Sequence, residues 1–304
     1  MTVIGFLKKL RIAPRRLIEY LYGREDEMLA LGRLLSELVA MKGEVRSLSD
    51  VEFRVFSQFG DDGIIQWLIN NINFRERSFI EFGVQDYRES NTRFLLMNNN
   101  WSGFVIDGSA RNVQKIRSSS YYWKYSLRAE HLFIDEDNIN DALTRSGLGA
   151  NIGILHIDLD GVDYWIWKKI ETIRPDVVIL EYNSVFGLDR SITVPYSKNF
   201  VRNKVHYSNL YFGASLRAIY DLSVEKGYAF IGCNSAGNNA YFVLREHVVN
   251  NINELSLSEG YVISKFRESR NQDGTLNFIE GDARLKLISG LPVFNTKTGT
   301  IEML

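Results

Sequence analysis

From Ser57 onward the chain alternates short apolar runs with helical patterns. Ser78–Gly83 (SFIEFG), Gly103–Gly108 (GFVIDG), Ile152–Asp158 (IGILHID) and Asp176–Glu181 (DVVILE) are largely apolar, and each ends in an acidic residue or glycine. Between them Ser90–Asn98, Ala110–Ser118, Asn138–Thr144 and Tyr164–Thr172 carry helical spacing. A strand that is apolar on both faces is buried on both faces, and strand–helix alternation supplies the cover; the pattern predicts a parallel sheet with helices on each side. His131–Ile134 is the weaker candidate for the third strand. A longer helix, Ser215–Lys226, leads to Tyr228–Gly232 and Ala240–Leu244 across a Gly/Asn-rich turn, which predicts an antiparallel hairpin closing the sheet. The expected fold class is α/β: a doubly wound, Rossmann-like sheet, mostly parallel, with that hairpin at one edge.

Composition removes whole classes of function. In 304 residues, 36 basic side chains stand against 37 acidic ones, for a formal net charge of −1. That balance argues against a nucleic-acid partner, which calls for a strongly basic surface. Four prolines and 23 glycines exclude collagen-like chains. The single Cys233 excludes a disulfide framework and any multi-cysteine metal knuckle; it is expected to be a buried small hydrophobe at the closing hairpin. No apolar run approaches the roughly 20 residues that span a bilayer. The expected location is therefore cytoplasmic.

Three regions follow from the patterning. Residues 1–50 read as a helical extension, 51–248 as the α/β domain with a lid insertion at 185–210, and 249–304 as a small C-terminal appendage. Residues 1–17 mix Ile4, Phe6, Leu7 and Leu10 with Lys8, Lys9, Arg11, Arg15 and Arg16. Such a segment is either a solvated basic extension or an amphipathic contact with the inner face of the membrane. Leu31, Leu34, Leu38, Met41, Val45 and Leu48 step by threes and fours, as in a heptad seam. That stripe serves either homo-oligomerisation or packing of one helix on the body, and Gly32 and Gly43 weaken the helix in both cases.

Chemistry is expected beyond the carboxyl ends of the strands. Glu81 and Gly83 close the first strand, and Asp107, 24 residues past Gly83, closes the second. A glycine there admits close backbone approach, and an acid there is placed to hold ribose hydroxyls; either acid is alternatively a helix or turn cap. G-x-G-x-x-G is absent, which argues against a nicotinamide dinucleotide. Ile157-Asp158-Leu159-Asp160-Gly161-Val162-Asp163 and Leu180-Glu181-Tyr182-Asn183 place further oxygen ligands at adjacent strand ends. Asp158, Glu181 and Asn183 would suit Mg²⁺; alternatively Asp158 touches cofactor or acceptor directly, while Asp160 and Asp163 cap the next helix. His156 reads as a satisfied core histidine. Trp165 and Trp167, two apart on a helix, cannot share a face.

At these residues the chain resembles a family. Glu81-Phe82-Gly83, Gly103–Asp107 and the terminal hairpin are similar to class I S-adenosylmethionine-dependent methyltransferases. Ser57-Gln58-Phe59-Gly60-Asp61-Asp62-Gly63, Glu89-Ser90-Asn91-Thr92, Ile157-Asp158-Leu159-Asp160-Gly161 and Asn234–Val243 resemble the FkbM-type group, over about residues 55–245. The resemblance implies S-adenosylmethionine as cofactor and O-methylation of a sugar, surface glycan or other hydroxylated metabolite. It places Glu81 and Gly83 beside the methionine part of the cofactor, Asp107 at the ribose, Asp135 or Glu136 at the adenine edge, and Gln58 and Asp61 as further cofactor contacts. The metal arrangement looks like that of catechol O-methyltransferase. Gln85 and Tyr87 depart from the family's small-residue loop, and they favour the competing reading, a non-catalytic partner protein in glycan assembly. Candidate bases are Asp158 and, in the lid, His206. Tyr196, Tyr207, Tyr211 and Phe212 either stack on a sugar or pack the lid itself.

Overall fold

The computed structural model describes residues 24–249 and 251–304. The expectation of membrane contact through residues 1–17 falls outside them. Among the described residues no helix is long and apolar enough to cross a membrane.

Seven strands form the main sheet in the order β3-β2-β1-β4-β5-β8-β7. They are β1 (Ser78–Phe82), β2 (Ser102–Asp107), β3 (Leu127–His131), β4 (Asn151–Ile157), β5 (Arg174–Glu181), β7 (Tyr228–Cys233) and β8 (Asn239–Leu244). β1 to β5 are parallel; β8 runs antiparallel to β5, and β7 antiparallel to β8. Period-two alternation divides the strand residues between two cores. Ile80, Phe82, Ile106, Leu155 and Leu180 face one way, against α6 (Ile139–Arg145), α7 (Asp163–Lys169) and α9 (Leu216–Glu225). Phe79, Val105, Ile154 and Ile179 face the other, against α2 (Asp61–Asn71), α3 (Arg93–Asn99) and α4 (Ala110–Arg117). The expected doubly wound α/β sheet is present.

Three expectations need correction. The third strand is Leu127–His131 and not His131–Ile134. As an edge strand it buries only alternate residues, Leu127 and Ala129, and so lacks the apolar run that marks the central strands. Residues 24–40 form helix α1, and the heptad pattern does not continue beyond it: Leu48 is buried in the core and Val45 packs against it. The helix meets the body through Leu29, Gly32, Ser36 and Val39, while Leu31, Leu34, Leu38 and Met41 are exposed. Gly32 does more than weaken the helix, because a Cβ there would come within 2.6 Å of both Phe94 and Val55.

The third correction concerns residues 249–304, which are built into the domain. β9 (Pro292–Asn295) pairs with β10 (Thr300–Met303) and with β6 (Ile192–Thr193), inside the 185–210 segment. Trp165 lies over this second sheet, 4.9 Å from the Phe294 ring, with its indole N–H on the Val194 carbonyl. Trp167, on the opposite side of α7, is in the core. Cys233 is buried, as expected, and burial pushes its thiol up to about 12.

Candidate functional site

The carboxyl ends of β1, β2, β4 and β5 open into one cleft of about 910 Å³, lined among others by Gln58, Gly83, Gln85, Asp107, Phe133, Asp158 and Glu181. It straddles β1 and β4, where the strand order reverses, which is the ligand position of open α/β sheets. Gly83 brings the two strand ends together. Its φ is +72°, and a Cβ would lie 1.8 Å from the Asp158 carbonyl oxygen. Gln85 and Tyr87 keep the left-handed backbone that glycine adopts easily, with φ of 49° and 62°. Each is held in place. The Gln85 N–H donates to Asp107 Oδ2 at 2.7 Å, and Tyr87 is fully buried with its hydroxyl 2.9 Å from Thr92 Oγ1. The non-glycine residues therefore preserve the turn. Asp107 also accepts from the Ser109 N–H and the Asn112 amide through Oδ1, which fixes its carboxylate at the cleft wall.

Two acids expected at the cofactor serve the framework instead. Glu81 does not line the cleft. It accepts from Ser90 Oγ, the Asn91 and Thr92 backbone N–H groups and Thr92 Oγ1, and lies 3.0 Å from His156 Nδ1. Burial alone would raise its pKa, but the hydrogen bond and charge of His156 outweigh it and hold the carboxyl below its ordinary value; the same contact raises His156. His156 is the satisfied core histidine expected, with Asn91 at its other nitrogen. Asp61 is fully buried and accepts from Asn234, Asn239 and the Tyr241 hydroxyl, tying α2 to the β7–β8 turn. Its neighbour Asp62 gathers the backbone N–H groups of Val55, Phe56 and Ser57. The Asp-Asp pair thus shapes the loop that carries Gln58 to the cleft. Asp61→Ala leaves three buried donors unpaired and should lower stability by roughly 3 kcal/mol or more. Chemical denaturation measures that loss; Asp61 does not line the cleft.

Asp158 follows β4, and Glu181 is the last residue of β5. Their carboxylate oxygens, with one from Asp163, all lie within 4.8 Å of one another. Burial and then the Asp160 charge push Asp158 up to about 6; burial and then Asp158 push Asp163 up to about 7 and Glu181 well above its ordinary value. Glu181 Oε2 is buried and has no hydrogen-bond partner. Asp163, the first residue of α7, accepts from the Leu159 and Gly161 N–H groups of the preceding loop, and Asp160 turns outward to Arg202 at 2.9 Å. Contrary to expectation, then, neither caps α7; its N-cap Val162 has no side-chain cap. Asn183 is not a member of this group. Its amide donates to the Leu210 and Phe212 carbonyls and its oxygen accepts from Val185, so it has a structural task and does not line the cleft.

The lid contributes differently from what its composition suggests. His206 does not line the cleft; it is hydrogen-bonded to Ser208 Oγ at 2.7 Å, packs on Tyr207, and has its pKa lowered by burial. Tyr196 packs on Trp165 and accepts from the Glu136 N–H, Tyr211 donates to the Pro292 carbonyl, and Phe212 lies under Arg202. These three pack the lid itself, whereas Tyr207 is exposed. Asp135 and Glu136 also lie off the cleft: Asp135 turns back to cap Asp137 and Asn138 and pairs with Lys198 at 3.0 Å. Phe133 and Ile134, just before these two acids in the chain, line the cleft. The residue missed in the sequence is Arg202. It bridges Asp160 and Glu268 and donates to the Asn209 carbonyl, so that it joins the β4 end, the lid and the C-terminal segment at the cleft mouth. Partners 42 and 66 residues away in the chain leave no local signal.

No protein-family model matches the chain, and no curated protein matches it significantly. Solved structures similar to it include the N-terminal domain of EvdMO1 with SAH bound (10% identity, 70% of this chain and 94% of that one, TM-score 0.40). Others are an O-methyltransferase family protein from Burkholderia thailandensis (10%, 72% and 57%, 0.37) and an S-adenosylmethionine-dependent methyltransferase from Clostridium acetobutylicum (12%, 60% and 90%, 0.39). They assign no role to any residue of this chain.

Proposed function

We propose that this chain is an S-adenosylmethionine-dependent O-methyltransferase of the FkbM-type group, acting on a hydroxyl of a saccharide or related metabolite. The observation that carries the reading is the convergence of Gly83, Asp107, Asp158 and Glu181 on one cleft at the switch point of the sheet. Asp107 is held by three donors and keeps one lone pair, on Oδ2, for a ribose hydroxyl. Phe133, beside Gly108, offers a flat apolar face next to it for a purine. The acidic strand ends favour a cation between them.

The bound cofactor supplies a methyl group on a positively charged sulfur. What remains for the protein is alignment and removal of one proton from the acceptor hydroxyl. Asp158, with a pKa of about 6, is largely ionised at neutral pH and lines the cleft, so it serves as the base. Arg202 holds the lid side of the cleft by its two ion pairs. A hard divalent cation also fits the donor set, with Asp163 taking the place first given to Asn183: three carboxylates converge, and Glu181 Oε2 lacks a partner. Mg²⁺ held there would lower the pKa of an acceptor hydroxyl.

Titration calorimetry with S-adenosylhomocysteine tests the reading. Saturable heat is expected, and Asp107→Ala should weaken binding by about tenfold or more, the loss of a charge-assisted hydrogen bond. Absence of heat up to millimolar ligand overturns the proposal. The acceptor is then sought by mass spectrometry of cell-surface sugars from a deletion strain, in which one methyl group should be missing.

A further inference from the structure

The cleft is acidic at the strand ends and basic elsewhere. Asp107, Asp158 and Glu181 stand where β2, β4 and β5 finish, whereas every cationic side chain of the lining belongs to the lid (Arg202) or to the C-terminal segment (Arg267 and Arg270). At about 910 Å³ the cleft is near the upper end of the range for small-molecule sites, about 300–1,000 Å³, so an acceptor fits beside the cofactor.

We propose that Arg267 and Arg270 form an oxyanion subsite, and that the acceptor is a saccharide carrying a phosphate or carboxylate group. This rests on the methyl-transfer reading and narrows its substrate. The charges leave these two arginines available. Arg202 is already engaged, since it meets Asp160 at 2.9 Å and also pairs with Glu268. Glu268 is the one acid between Arg267 and Arg270 in the chain, and Arg202 takes it away from both. Arg267 meets Glu280 at 3.0 Å, but both side chains are exposed, and such a pair contributes little and exchanges readily. Arg270 pairs with no carboxylate among the described residues; its guanidinium donates to the Gly274 carbonyl at 2.8 Å.

Arg270 is also held in position. Its backbone N–H donates to the Ser208 carbonyl of the lid at 3.3 Å, and it forms an antiparallel bridge with Leu276. The Asn277 N–H closes the same turn on the Ser269 carbonyl at 3.0 Å. The turn thus fixes one end of the guanidinium and leaves further N–H groups of its planar fork, which match the two oxygens of a phosphate or carboxylate. The polarity of the cleft then orients the acceptor. An oxyanion is drawn to the arginines and repelled by the strand-end acids, so the molecule enters with a hydroxyl toward Asp158 and its charge toward the mouth. A neutral sugar would make no use of that division.

Titration calorimetry of the full chain with glucose 1-phosphate, glucuronate and glucose, each with and without saturating S-adenosylhomocysteine, tests the proposal. One or both anionic sugars should bind at least about tenfold more tightly than glucose, the scale of a charge-assisted hydrogen bond, and the preference should shrink as salt rises. The tighter of the two identifies the oxyanion. Arg270→Gln should abolish the preference and Arg270→Lys should keep part of it. Lys204→Gln removes a lid charge that does not line the cleft and should leave the preference intact. Equal affinity for the three sugars, absence of binding included, overturns the subsite, as does an equal loss in Arg270→Gln and Lys204→Gln. The two readings fail separately. A chain that binds S-adenosylhomocysteine but prefers neither anion loses the subsite alone; a chain that prefers an anion but gives no heat with S-adenosylhomocysteine keeps the subsite and loses methyl transfer.

Discussion

Replacement of Gly83 by alanine is expected to lower the stability of the folded chain by on the order of 3–5 kcal/mol, combining a left-handed backbone with overpacking. The new Cβ would lie 1.8 Å from the Asp158 carbonyl oxygen, at a backbone φ of +72°. The strand ends cannot part freely, because the Gly83 N–H donates to the Ile106 carbonyl at 3.0 Å and β1 pairs with β4 through Phe79, Ile80 and Glu81. Any relief displaces Asp158, and with it the acid group. Urea unfolding at neutral pH measures the loss. A variant as stable as the parent would mean that the β1 and β4 ends do not meet as described.

Glu181→Gln is expected to have opposite effects on stability and on activity. Asp158, Asp163 and Glu181 all have folded pKa values raised above their ordinary ones, so the folded chain holds more protons than the unfolded chain between about pH 4 and 7. The contribution of these three groups to stability therefore falls as pH rises through that window. For Asp158 alone, a move from 3.8 to about 6 corresponds to roughly 3 kcal/mol at 1.36 kcal/mol per unit. Glutamine removes the titrating group at 181 while its amide can still donate to Asp158, which should flatten the pH slope and raise the unfolding midpoint at pH 8. On the proposed function, methyl transfer should fall by about tenfold or more, because the carboxylate group beside the base Asp158 loses one of its three members. Magnesium at millimolar concentration should stabilise the parent more at pH 8 than at pH 5, and the variant less at both. An unchanged pH slope in Glu181→Gln would show that the three acids do not titrate together, and an absence of any magnesium effect would remove the cation from the mechanism.

The residues that were legible in the sequence are those whose environment is set by chain periodicity. β1, β2, β4 and β5 are buried on both faces and appear as apolar runs; β3 lies at an edge and does not. Site residues divide in the same way. Gly83, Asp107, Asp158 and Glu181 follow from the rule that ligands meet strand ends, and the structure brings them to one cleft. Glu81 and Asp61 are also acids near strand or helix ends, and only their donors distinguish them: Ser90, Asn91, Thr92 and His156 saturate one, Asn234, Asn239 and Tyr241 the other. Residue type and position are local, whereas satisfaction of a carboxylate depends on partners up to 180 residues away. Asn183 and His206 were misread for the same reason, and Arg202 was missed because its meaning lies wholly in Asp160 and Glu268.

The pairing of β6 with β9 also bears on how the chain assembles during synthesis. Ile192 hydrogen-bonds into a sheet whose other strand begins at Pro292, so the lid side of the cleft has no edge to join until roughly a hundred further residues have left the ribosome. The paired strands of the main sheet are complete at Leu244. A nascent chain thus passes through a stage in which the strand-end acids are in place while the wall that shields them is not, and hydrolysis by protease in that interval should fall within 185–210.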